Sequence, residues 1–152
     1  MAEPAARLGR FSQNRRGVAT EKDASDLELA LSLPEVIAAP AVTVFGATGG
    51  RTDHLLGNLQ LLGRNPERVI FENEHEWIFA LRYDATLSVR PGQQVSLMPL
   101  FGPVTGVTTE GLKWEMRDST LDANMFSLSN LAKGNQVHVH HKTGLLLCII
   151  SK

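Results

Sequence analysis

The chain has 152 residues, 43% of them hydrophobic, enough to bury one good core or two small ones. Fifteen Lys and Arg stand against 16 Asp and Glu, a net charge of −1. No global positive field exists to recruit nucleic acid or an anionic membrane, so a phosphorylated ligand has to be held by a local site. The single cysteine, Cys148, excludes an internal disulfide and a thiolate zinc cluster.

The N-terminus carries no apolar signal core, and the longest apolar run is too short to span a bilayer. Arg7, Arg10, Arg15 and Arg16 against the lone acid Glu3 could form a transit peptide, but the first 16 residues read better as the stump of a helix and loop. A reducing, cytoplasmic setting fits these features. Ser25 and Glu28 have capping-box spacing and open a helix whose apolar face is Leu27, Ala30 and Leu31, with Pro34 marking its end. Val42 to Phe45 reads as a short buried strand, and Gly46-Ala47-Thr48-Gly49-Gly50 as a flexible turn. Leu55, Leu56, Leu59 and Leu62 predict a second helix, with Gly63 as its stop and Pro66 beyond. Gly57 within that helix costs about 1 kcal/mol relative to Ala, which points to a close approach there. Helix, strand, glycine turn and helix form the grammar of an α/β unit.

After about residue 66 the pattern becomes all-β. Val69-Ile70-Phe71 and Trp77-Ile78-Phe79 flank the polar Asn73-Glu74-His75 as a hairpin. Leu87 and Val89 alternate with polar residues before a Pro91-Gly92 turn, and Val95, Leu97, Val104, Val107, Val137 and Val139 fall in further short strands. The run 145–150 reads as a fully buried last strand, with Cys148 a small hydrophobe inside it. Short strands at this spacing form a small sandwich or barrel.

Four clusters could carry chemistry. Asp23 and Asp26 straddle a helix start, where carboxylates either cap the helix or bind Mg²⁺. Gly46 to His54 joins a strand to a helix through glycines that let main-chain N–H groups approach an anion; Arg51 could pair with a phosphate, and Asp53 could bind a metal or cap the helix. No Gly-Lys-Ser/Thr follows, so this is not a Walker loop. Gly111-Leu112-Lys113-Trp114 and Ser129-Asn130 put an aromatic face beside small polar groups, a pairing that could stack and orient a flat cation or simply pack and turn the chain. His138 and His140 share one strand face, which reads as a solvated face before it reads as a metal site.

Taken together and in order, these motifs resemble the thiamine pyrophosphokinase family over about residues 21–152. Asp23-Ala24-Ser25-Asp26 is similar to the family's Asp-x-Thr-Asp element. Gly49 through Leu62 is similar to its Gly-Gly-Arg-x-Asp-His turn and following helix, 111–114 to its Gly-Leu-Lys-Trp motif, and Ser129-Asn130 to its late Ser-Asn pair. The resemblance implies an α/β plus all-β subunit. A truncated Rossmann-like α/β nucleotide domain over 1–66 precedes a C-terminal β-sandwich over 67–152. It implies Mg²⁺ with ATP as co-substrate and a homodimer with active sites at the interface. Asp23, Asp26 and Asp53 would serve catalysis, with Asp23 and Asp26 on the metal. Gly49, Gly50, Arg51 and His54 would hold the ATP phosphates, and Leu112, Trp114, Ser129 and Asn130 would line the thiamine site. The family's upstream Gly-Asp-x-Asp-Ser motif has no counterpart before Asp23, and residues 1–20 resemble the helix and strand that follow it. The expected function is thiamine diphosphokinase; the alternative is a truncated, catalytically weak thiamine-binding dimer module.

Overall fold

The computed structural model describes residues 24–152. Asp23 and the expected elements of residues 1–20 lie outside the described residues. The chain runs α1 (Asp26–Leu31), α2 (Pro34–Ile37), β1 (Val42–Phe45), α3 (Thr52–Arg64), β2 (Val69–Glu72), β3 (Glu76–Leu81) and β4 (Ala85–Ser88). It continues through β5 (Gln94–Pro99), β6 (Val104–Glu110), β7 (Ser119–Leu121), β8 (Ser127–Leu131), β9 (Gln136–His140) and β10 (Leu146–Ser151). The architecture is mostly β-sheet with few helices.

Local chemistry sets the helix ends. The Ser25 hydroxyl accepts the Glu28 N–H at 3.2 Å and starts α1. The Glu28 carboxylate, rather than closing a capping box, takes Arg64 at the far end of α3. Pro34 ends α1 and also opens α2, where its missing N–H has no helical partner to lose. Gly63 does not stop α3, which runs through Arg64 to a cap at Asn65. A Cβ on Gly63 would come within 2.6 Å of the Phe101 ring, whereas one on Gly57 would meet nothing within 4 Å. Along α3 the close approach is therefore at Gly63 rather than Gly57.

Among the described residues ten strands form two sheets. The larger has the order β1-β2-β3-β10-β5-β8, the smaller β4-β9-β6-β7. β1 and β2 pair in parallel, so the large sheet continues across the Gly63–Pro66 connection. Asn73 makes the β2–β3 hairpin tight, because its Oδ1 accepts the N–H groups of both His75 and Glu76.

The large sheet is covered on both faces, and β10 shows why its sequence is continuously apolar. Leu146, Cys148 and Ile150 point into a core shared with the small sheet, where they meet Val104, Val107, Leu121, Val137 and Val139. Leu147 and Ile149 point the other way, into a core closed by Leu31, Val36, Leu61 and Leu62 of the helices. A strand walled on both sides has no polar face to offer. No helix among the described residues is long and apolar enough to cross a membrane.

Candidate functional site

The segment after β6 places one large aromatic side chain in solvent. Gly111 sits at φ +88°, and a Cβ there would lie 2.4 Å from the Gln136 carbonyl oxygen, so only glycine fits. Leu112 is wholly buried in the inter-sheet core. Its side chain anchors the segment from beneath. Trp114 then emerges 56% exposed.

Asn130 fixes Trp114 from the edge strand β8. The Trp114 N–H donates to Asn130 Oδ1 at 3.1 Å, and Asn130 Nδ2 donates to the Trp114 carbonyl at 2.7 Å. The Asn130 oxygen also accepts the Leu131 N–H, and its amide nitrogen reaches Ser127 Oγ at 3.4 Å. This side chain is 2% exposed and its amide is spent on the protein. Its geometry is that of a positioning group.

Trp114 borders a cleft of about 350 Å³ lined also by Glu115, Met125, Phe126, Ser127 and Leu128. Ser129 stands beside this lining on β8, at φ +52° with its N–H on Ser96 Oγ. Ser127, Glu115, Met125, Phe126 and Leu128 escape sequence reasoning, because only the return of β8 beside Trp114 makes them neighbours. Lys133 and the Gly111 N–H hold the Glu115 carboxyl below the usual carboxylate range. The Lys113 ammonium lies 4.7 Å from the Trp114 ring centre, so the indole already receives a cation.

The second group of expected site residues follows β1. Gly46 and Gly50 take φ of +79° and +86°, and Gly49 and Gly50 face open space. The turn is pinned by Asn58 Nδ2 on the Ala47 carbonyl and by Asn73 Nδ2 on Thr48 Oγ1. Arg51 and Asp53 face each other as an exposed pair at 2.6 Å, and Asp53 also accepts the His54 N–H. The Arg51 guanidinium keeps the Asp53 carboxyl below its ordinary range.

Asp53 lies in the first turn of α3, and Arg64, in the last turn, is tied to Glu28 of α1. The two ends are on the order of 16 Å apart along a helix. Asp26 opens α1, two residues before Glu28. Among the described residues no group of three or more His, Cys, Asp or Glu side chains is gathered to hold a metal ion. His138 and His140 are paired instead, with Thr86 Oγ1 at 2.9 Å and Asp84 Oδ1 at 2.7 Å.

The register of the large sheet relates the two groups. Phe45 pairs with Glu72, Glu72 with Trp77, Trp77 with Ile150, Ile150 with Val95, and Val95 with Asn130. One transverse row therefore runs from the glycine turn to the residue that holds Trp114. Among the described residues its ends lie on the two outermost strands, β1 and β8, separated by five inter-strand steps of about 4.8 Å, on the order of 24 Å.

Residues 82–146 match the family described as thiamin pyrophosphokinase, vitamin B1 binding domain, a span that contains both Trp114 and Asn130. Thiamine pyrophosphokinase 2 of Arabidopsis thaliana is 30% identical, over 87% of this chain and 54% of its own. Thiamine pyrophosphokinase of Bacillus subtilis is 32% identical, over 64% of this chain and 48% of its own. The crystal structure of thiamin pyrophosphokinase from Geobacillus thermodenitrificans superposes with a TM-score of 0.78 at 27% identity, covering 87% of this chain and 63% of that one. The chain thus spans about half the length of the curated relatives it matches. With the vitamin B1-binding segment, the relatives' sequences and their fold all in agreement, the chain belongs to the thiamine pyrophosphokinase family, over its C-terminal part.

Proposed function

We propose that the protein acts as a thiamine diphosphokinase, transferring pyrophosphate from ATP to the thiamine hydroxyl and releasing AMP. The observation that carries this is the exposed indole of Trp114, held in place by Asn130 at the mouth of a cleft inside the matched segment. Thiamine has a permanent positive charge on a flat ring, which suits an indole face. Glu115 supplies negative charge at the same cleft and Ser127 a neutral hydroxyl. Ser129, next to them on β8, is the expected second hydroxyl, and Leu112 supports the site from beneath.

In the reaction the thiamine hydroxyl oxygen bonds to the β-phosphorus, the bond from that phosphorus to the α–β bridging oxygen breaks, AMP leaves, and the hydroxyl proton passes to solvent. Such a transfer depends on alignment and charge neutralisation. We assign the ATP phosphates to Gly49, Gly50, Arg51 and His54, on a Rossmann-like half comprising residues 1–66, and thiamine to residues 67–152. Asp23, Asp26 and Asp53 belong to the acidic side of that assignment. Asp23 and Asp26 would hold a Mg²⁺ ion, which would neutralise charge on the polyphosphate. The separation of the two halves along one transverse row supports a homodimer, in which the β1 edge of one copy meets the β8 edge of its partner. A cytoplasmic setting belongs to the same reading and rests on the lone buried thiol, Cys148.

The test is AMP release from ATP with thiamine present, set beside thiamine binding followed by calorimetry. Binding with AMP release supports the proposal in full. Binding without AMP release reduces it to a thiamine-binding module. Absence of binding overturns it.

A further inference from the structure

A second cleft, of about 570 Å³, opens where β3 ends and β10 begins, lined by Arg82, Tyr83, Asp84, His141, Lys142 and Gly144 among others. It lies at the other end of the large sheet from the Trp114 side. Leu81 pairs with Leu146 at this end, whereas Trp77 and Ile150 stand in the row that joins Phe45 to Asn130. Three or more residues of strand, roughly 10–15 Å, separate the two levels.

The floor of this cleft holds an unpartnered imidazole. His141 is 6% exposed, and neither ring nitrogen has a hydrogen-bond partner or meaningful access to bulk water. The Thr143 main chain is near enough to favour the protonated ring but makes no bond of normal geometry with it. Buried polar groups without partners are rare in folded proteins, and an ion or ligand is one of their ordinary explanations.

The rim adds unspent positive charge. The Arg82 main-chain N–H is fixed by the Glu67 carboxylate, while the Arg82 guanidinium has no hydrogen-bond or ion-pair partner among the described residues. The carboxylates nearby are already engaged: Glu67 with the Arg82 and Tyr83 N–H groups, Asp84 with His140 and Asp118 with Lys142, the last two at 2.7 Å. Gly144, at φ +93°, is a residue whose Cβ would strike the Pro103 carbonyl at 2.6 Å. It turns the chain tightly and brings the main chain against the cleft.

We propose that this cleft binds a small oxyanion, a phosphate or phosphomonoester, between the Arg82 guanidinium and the His141 ring. A planar guanidinium matches two oxygens of such an anion, and the ring offers a third donor once a small side-chain adjustment opens it to the cleft. The site depends on no reading of the Trp114 side.

The test is a titration of the full chain with inorganic phosphate, read from the histidine ring resonances in ¹H–¹⁵N spectra, with sodium chloride at matched ionic strength as control. Phosphate, and not chloride, is expected to shift His141. Arg82→Gln, at an exposed position that leaves the core untouched, should weaken phosphate at least tenfold and leave thiamine binding unchanged. His141→Gln should weaken it further; if that variant fails to fold, Arg82→Gln alone decides. AMP competing for the same shift would identify a nucleotide phosphate as the source, and no competition would leave free phosphate. Absence of a His141 shift up to about 20 mM phosphate, above the millimolar range of a weak site, would overturn the proposal. So would equal binding by Arg82→Gln.

Discussion

Asn130 treats Trp114 as a neighbouring strand would: its amide oxygen accepts the Trp114 N–H at 3.1 Å while its amide nitrogen donates to the Trp114 carbonyl at 2.7 Å. A side chain thus supplies the pairing that the Trp114 main chain needs beside an edge strand. Replacing it by Ala leaves these groups without their partner, which costs about 1–3 kcal/mol in a partly buried setting. Asn130→Asp keeps the acceptor and loses the donor, and should fall between the two. Urea unfolding measures both, and an unchanged midpoint in Asn130→Ala would refute the positioning role.

The same logic separates two glycines. Gly111→Ala forces a Cβ to 2.4 Å from a main-chain oxygen at a positive φ. It should destabilise by about 2 kcal/mol or more. Gly57→Ala places its Cβ in open space on a helix and should stabilise by about 0.5–1 kcal/mol. Thermal melts of the two variants should move in opposite directions, and movement in the same direction would contradict the glycine assignments.

Burial of His141 gives the fold an acid sensitivity. Burial holds its pKa below the ordinary 6.5, against the Thr143 main chain and the Asp84 and Glu67 charges that raise it and with the His140 charge that also lowers it. The unfolded chain then binds the proton more readily, so this contribution is fully present above pH 6.5 and is lost progressively as pH falls below it. Carboxylates such as Asp84 and Asp118, whose pKa values are lowered by His140 and Lys142, lose theirs only at more acidic pH. Urea midpoints between pH 7.5 and the carboxylate range should slope downward in the native protein and flatten in His141→Phe. Equal slopes would show that another group carries the effect.

Cys148 is fully buried in the inter-sheet core, and burial pushes its thiol far above the ordinary range. A thiol reagent should label the native chain at the rate of global or local opening, and promptly in denaturant. Immediate stoichiometric labelling of the native chain would place β10 nearer the surface than its packing allows.

If each active site joins the β1 edge of one copy to the β8 edge of its partner, defects on the two sides should complement. Asp53→Asn homodimers should be inactive, and Trp114→Ala homodimers nearly so at thiamine concentrations well below their weakened affinity. Subunit exchange between them should restore roughly a quarter of wild-type sites in a randomly mixed twofold dimer. Mixtures as inactive as their parents would place the whole site within one chain.

Much of the local structure is legible in the residues. Ser25 announces α1, Asn73 sits where the hairpin turns, and the unbroken run 145–150 announces a strand covered on both faces. Relations that depend on strand order are not. Because β10 inserts between β3 and β5, the row from Phe45 to Asn130 crosses the chain out of sequence, and nothing local reveals it. Gly63 is a helix stop on local rules and a packing glycine in the fold, since Phe101 lies far along the chain. Asn130 carries no mark of holding Trp114, and Ser127 and Glu115 join the cleft only through that long-range contact. Among the acidic residues, spacing beside a glycine turn does not disclose that Asp53 pairs with Arg51 while Glu28 takes Arg64 in the last turn of α3.

The central claim is that Trp114 is the thiamine platform, and a thiamine titration of the native chain, Trp114→Phe and Trp114→Ala tests it most directly. Trp114 is exposed, so circular dichroism should report an intact fold in both variants. A cation on an aromatic face gains about 0.5–2 kcal/mol, so Phe should bind a few-fold more weakly and Ala about tenfold or more. Native-like thiamine affinity in a folded Trp114→Ala chain would contradict the account.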